Sequence, residues 1–140
     1  MSRRERLFAL MARRQKIELG QKAATAQRAA MRAADADRQA EQLGNLLAEK
    51  SGTLARSATK ADMLAAHWMG VELAAHLEIT RNNAAHLEQD LIRARAELAQ
   101  AEHRSGLYHD RAAEARREAR EAAEARREAA RPARRGPASA

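Results

Sequence analysis

Five histidines, His67, His76, His86, His103 and His109, are the side chains in this sequence best suited to metal ligation or to proton transfer near neutral pH. A metal site needs ligands that converge at fixed spacing, such as His-Glu-x-x-His on one helical face. None of the five stands in that spacing and no second ligand type gathers around them, so they read as surface histidines. Carboxylates are abundant, but general acid–base work needs a concave pocket that desolvates a pair and shifts its pKa. The glycines are scattered singly, which leaves no loop to cradle phosphate. Cysteine is absent, which removes disulfides and thiolate chemistry and fits a cytosolic chain. No catalytic residue, metal ligand or cofactor site is expected, and the chain is read as a non-enzyme.

The elements that would carry these residues are helices. From Met63 to Ala122, alternating steps of three and four pass through Ala66, Gly70, Leu73, Leu77, Thr80, Ala84, Leu87 and Leu91. The steps continue through Ala94, Leu98, Ala101, Ser105, Tyr108, Ala112, Ala115 and Ala119 without meeting a charge. A mean spacing of about 3.5 keeps one seam of a helix against a partner helix, the condition for a left-handed coiled coil. Hydrophobic residues make up 45% of the chain, yet most are alanine and aromatics reach only 2%, so a thick globular core cannot be built. Proline occurs only at 132 and 137, leaving a long stretch free of helix breakers.

Ser2 and Glu5 form a capping-box pattern that starts a first helix. Leu10, Ile17, Ala24 and Met31 then recur every seven residues, and from Ala26 a second series takes over through Ala29, Ala33, Ala36, Ala40, Leu43 and Leu47. The change of phase predicts a stutter. Gly20 and Gly44 either permit close packing or are merely tolerated, at about 1 kcal/mol of helix propensity each. The pattern breaks over residues 51–59, where Gly52 is suited to the left-handed conformation that ends a helix and Thr59 with Asp62 marks a new start.

A short connection between long helices implies antiparallel neighbours. The predicted fold is all-α, a long two-helix antiparallel coiled-coil hairpin. Its first helix covers about 3–50, its bend about 51–59 and its second helix about 60–130, with a disordered tail from 132. A bend centred near residue 55 places residue 5 opposite residue 105 and leaves an overhang of some twenty-odd residues. Within it residues 113–119 recur identically at 123–129.

The net charge of +7 is divided as +5 over residues 1–50, −2 over 51–110 and +4 over 111–140. The hairpin would bring both basic ends together, with Arg3, Arg4, Arg6, Arg13, Arg14, Arg116, Arg117 and Arg120 among the exposed cations. The N-terminal stretch lacks the uninterrupted apolar core of a signal peptide, and no run of about eighteen apolar residues occurs. Leu64, Trp68, Val71, Ala75 and Ile79 make a second apolar stripe beside the main seam, with Leu46 and Leu54 off the seam of the first helix at the same end. Either the seam broadens there, or the stripe is a docking face with an aromatic anchor.

The opening Leu7-Phe8-Ala9-Leu10-Met11, the segment Gln39-Ala40-Glu41-Gln42-Leu43 followed by Leu46, the bend, and Trp68 just beyond it resemble the flagellar export protein FliJ and its type III secretion relatives. The resemblance covers nearly the whole chain up to about residue 130. It implies a stalk-like component of the export apparatus, cytoplasmic and peripheral at the inner membrane. The implied partners are the flagellar export ATPase hexamer at the basic terminal end, the cytoplasmic domain of the export gate near the bend, and export chaperones. By resemblance the gate contacts fall on Gln42, Leu46, Leu73, Leu77, Thr80 and Ala84. Aromatics that the family carries near Glu49 and Thr53 are absent here, and the second-helix positions coincide with the internal seam.

Two other readings stand beside this one. A purely structural coiled coil would self-associate along its seam. A nucleic-acid or anionic-surface binder would use the arginines of residues 111–135; no aromatic is interleaved there to stack bases, so nucleic acid is not expected as a partner.

Overall fold

A computed structural model describes residues 2–54, 56 and 59–132. It contains two helices, α1 (Arg3–Leu54) and α2 (Lys60–Ala130), packed as an all-α hairpin. The expected tail at residues 133–140 and the Leu54 side chain lie outside what is described.

Both helix starts follow the sequence signals. The Glu5 amide donates to Ser2 Oγ at 3.1 Å and the Ser2 amide donates back to Glu5 Oε2 at 3.3 Å, which closes the capping box. The Asp62 amide donates to Thr59 Oγ1 at 3.1 Å, and the Met63 amide donates to the Thr59 carbonyl at 3.0 Å. Thr59 is therefore the N-cap of α2. At the far end the Arg131 amide is shared between the carbonyls of Arg127 and Glu128, at 3.1 and 3.2 Å, and Pro132 follows.

Gly52 does not end α1. It lies inside the helix, no described glycine has a positive φ, and α1 continues to Leu54. With no proline or capping partner at 51–52, a glycine costs propensity but does not stop a helix.

The chain forms two compact units, Gln21–Leu98 and Met1–Gly20 with Ala99–Ala140. In the first, Lys22 Nζ lies 3.1 Å from Glu97 Oε2, and Leu47, Lys50 and Ser51 face Ala66, His67 and Gly70. In the second, Arg4 Nη1 lies 3.1 Å from Glu118 Oε2 and Arg104 Nη2 3.4 Å from Glu18 Oε1. Partners descend along α2 as they ascend along α1, so the helices are antiparallel within each unit. The register differs from the expected one. Arg4 and Lys22 meet residues about nine to twelve positions further along α2 than a bend at residue 55 would allow. The reversal lies between Leu54 and Lys60 because α1 runs through Gly52.

The α2 stripe is observed almost as it reads. From Ala66 to Ala119 every residue that is not exposed belongs to it; only the terminal members Met63 and Ala122 are exposed. Eight of the ten buried residues are alanines, with Ala101 the most enclosed at 1% exposure. Small side chains let the two backbones approach, so burial here comes from proximity rather than from bulk.

On α1 the expected heptad of Leu10, Ile17, Ala24 and Met31 is not the seam. All four residues are exposed, Leu10 at 63% and Ile17 at 60%. Instead the phase of Ala26 continues back through Lys22, Leu19, Gln15, Ala12, Phe8 and Glu5, which are half-buried. There is no stutter. The stripe on α2 has no insertion, so α1 must keep one phase to stay in contact with it. Lys and Gln fill seam positions by laying their stems along the partner.

The overhang is correspondingly short. Ser2 and Glu5 share a depression with Ala119, Ala123 and Arg126, and residues 124–130 are exposed throughout. Pairing ends where α1 begins, at Arg3, and the repeat is consistent with that end. Continuing the stripe past Ala119 in threes and fours brings it to Arg126, so the second copy puts a charge where the seam would run. Ala115 is buried, while its counterpart Ala125 is exposed.

Candidate functional site

In the unit Gln21–Leu98, α2 has two apolar faces. One is the seam, where Leu77 is 5% exposed. The other is built from Leu64, Trp68, Val71, Ala75 and Ile79, spaced by threes and fours off the seam, with Val71 at its edge reaching the groove against Leu47 and Lys50 of α1. All five are exposed, Trp68 at 61%. The seam has not broadened to take them in. The Trp68 ring meets its neighbour His67 edge-on, at 5.8 Å between centroids and 68° between planes. An uncovered indole beside aliphatic neighbours is the composition of an interface anchor.

The same unit is loosely closed towards the bend. Leu47, Ala66, Gly70, Val71 and Ala74 line a shallow groove, and a methyl group on Gly70 would meet nothing within 4 Å. Met63 and Met69 of the same unit are exposed.

The residues expected to bind a partner, whether as gate contacts by resemblance or as the second apolar stripe, separate into two sets. Gln42 and Leu46 on α1 are exposed, as are Leu64, Trp68, Val71 and Ile79 on α2. Leu77 and Ala84 are buried in the seam and Leu73 and Thr80 are half-buried there, so these four face α1. In a closed pair they offer a partner little or no surface. Heptad phase decided the outcome, because all four lie on the uncharged stripe.

The unit Met1–Gly20 with Ala99–Ala140 holds all eight basic residues singled out in the sequence: Arg3, Arg4, Arg6, Arg13, Arg14, Arg116, Arg117 and Arg120. All are exposed. Arg4 pairs with Glu118 and also lies over the Phe8 ring, its guanidinium carbon 5.6 Å from the centroid. Arg116 and Arg120 frame a depression with Glu5 and Ala113. Leu10 and Ile17, expected on the seam from their heptad spacing, point outward in this unit. The signal that could have placed them is the phase of Phe8, Ala12 and Leu19.

The five histidines are exposed and separate. Among the described residues no group of three or more His, Asp or Glu is arranged to hold a metal ion, and no helix is long and apolar enough to cross a membrane. The fold is a two-helix hairpin with one exposed apolar face on α2 and a set of exposed basic residues in the other unit. No protein-family model, curated protein or solved structure matches the chain.

Proposed function

We propose that this chain is a non-catalytic stalk or adaptor of a flagellar-type protein export apparatus. Its basic terminal end binds the export ATPase hexamer, and its bend end binds the export-gate cytoplasmic domain or export chaperones. It acts in the cytoplasm, peripheral to the inner membrane through these partners.

The observation that carries the adaptor role is the second apolar face of α2. The helices satisfy each other through the seam and still leave Leu64, Trp68, Val71 and Ile79 uncovered. Contiguous exposed apolar residues of this kind mark a surface for another protein. The hairpin fold and the basic residues gathered in one unit agree with the architecture that the family resemblance implies.

The test is co-purification with the flagellar export ATPase and with the gate domain. Wild type, Trp68→Ala and an Arg116→Glu/Arg120→Glu variant are compared. Trp68→Ala should weaken gate capture and spare the ATPase, and the charge reversal should do the opposite. Undiminished capture in both variants would remove the basis of the reading. A second copy of the chain is the competing occupant of the Trp68 face. Concentration-dependent dimerisation that Trp68→Ala abolishes would assign the face to self-association.

A further inference from the structure

The back of α1 in the unit Met1–Gly20 with Ala99–Ala140 carries an apolar line that the hairpin does not use. Leu10 and Ile17 stand one heptad apart on the side opposite the seam residues Phe8, Ala12, Gln15 and Leu19, and Leu7 lies beside them. Residues seven apart point the same way along a supercoiled helix, so this line has the geometry of a coiled-coil contact without its partner.

Its charge is one-sided. Arg3, Arg6, Arg13 and Arg14 flank the line, and all four are exposed. The acidic residues of this stretch point elsewhere: Glu5 caps the helix and Glu18 turns to Arg104. Arg6, Ala9, Leu10 and Arg13 frame a shallow depression beside the line. We infer that this face docks an amphipathic helix of another protein, one with an aliphatic heptad seam and Asp or Glu at the flanking positions. Opposite charges beside a heptad seam set partner choice in coiled coils. A second copy would set arginine against arginine, which disfavours self-pairing here. A lipid surface favours a wide apolar face, whereas this one is a narrow line on a helix already packed on α2. The inference rests on the proposed function only in placing a binding surface at this end.

The probe is a synthetic helical peptide with leucine at its seam and glutamate at its flanks, titrated into the full chain at several salt concentrations. A lysine-flanked peptide and phosphatidylglycerol vesicles are the controls. The glutamate peptide should bind, bind less as salt rises, and bind about tenfold or more weakly to Leu10→Ala/Ile17→Ala. An Arg6→Gln/Arg13→Gln variant should also bind it less, and Trp68→Ala should bind it as wild type does. Circular dichroism checks that each variant keeps its helices. Equal binding of the lysine peptide, or undiminished binding by the leucine–isoleucine variant, would overturn the proposal. Binding to anionic vesicles that depends on Leu10 and Ile17, without peptide binding, would hand the face to a membrane. The experiment uses no export component, so its failure leaves the Trp68 reading standing, and the converse also holds.

Discussion

Lys22 occupies a seam position of α1 and sends its ammonium to Glu97 on α2, 3.1 Å away, with the Lys22 side chain one-third exposed. The pair explains how a charge is carried on a seam whose buried side chains are all apolar. The stem covers α2 and the charged end reaches water and a carboxylate. Exposed pairs of this kind contribute about 0–1 kcal/mol, less than an aliphatic side chain gains at the same place. Lys22→Leu should therefore raise stability by about 1 kcal/mol, and Glu97→Ala should lower it by less than that. Urea unfolding of the three proteins measures both.

The alanine seam should resist enlargement as firmly as the leucines resist truncation. Ala101→Leu forces extra methylene groups between closely approaching helices and should cost about 1–3 kcal/mol. Leu91→Ala, at a buried position, should cost about 2–5 kcal/mol. Ile79→Ala, on the exposed face, should stay within about 0.5 kcal/mol of wild type. Denaturation midpoints at equal slopes separate the three cases.

Glycines at Gly44, Gly52 and Gly70 are helical without being required. None has a positive φ, and a methyl group at each would meet nothing within 4 Å. Gly20 is equally open, so Gly20 and Gly44 are tolerated and do not serve close packing. Replacing any of the three by alanine should stabilise the chain by about 0.5–1 kcal/mol, read as a rise in thermal midpoint. A loss of stability for Gly52→Ala would show that the chain reverses at that residue after all.

Trp68 is the only tryptophan, so its emission reports on one face. Its exposure predicts red-shifted fluorescence that acrylamide quenches freely in the isolated chain. Addition of a partner that covers the face should shift the emission to the blue and protect it. Binding without any spectral change would place the partner elsewhere.

The caps can be tested locally. Thr59→Ala removes the hydroxyl that accepts the Asp62 amide and should cost about 1 kcal/mol, with faster hydrogen exchange over the first turn of α2. Ser2→Ala should do the same for the first turn of α1.

These outcomes follow how far each feature could be read from residue order. The α2 seam was legible over its whole buried length because every position on it is small or apolar and charges fill the positions between. The first half of the α1 seam was not, since Glu5, Gln15 and Lys22 stand on it while Leu10, Ile17 and Met31 stand outside. Hydropathy sees the side chain's class, whereas contact uses its stem. The register also escaped prediction. A seam of similar small residues fits at several offsets, and ion pairs such as Lys22–Glu97 become visible only once one offset is chosen. The Trp68 face was legible as a surplus of apolar residues, and its exposure in the fold separates it from the seam.

If the proposed surfaces bind partners, a hairpin whose buried side chains are mainly alanine assigns adhesion and recognition to different residues. Substitutions at the exposed Leu10, Ile17 or Trp68 would leave the closure untouched, so on that reading selection could rewrite what the molecule binds without endangering how it folds. Lineages carrying such a chain would be free to diverge quickly on the outside while the hidden stripe stayed monotonous.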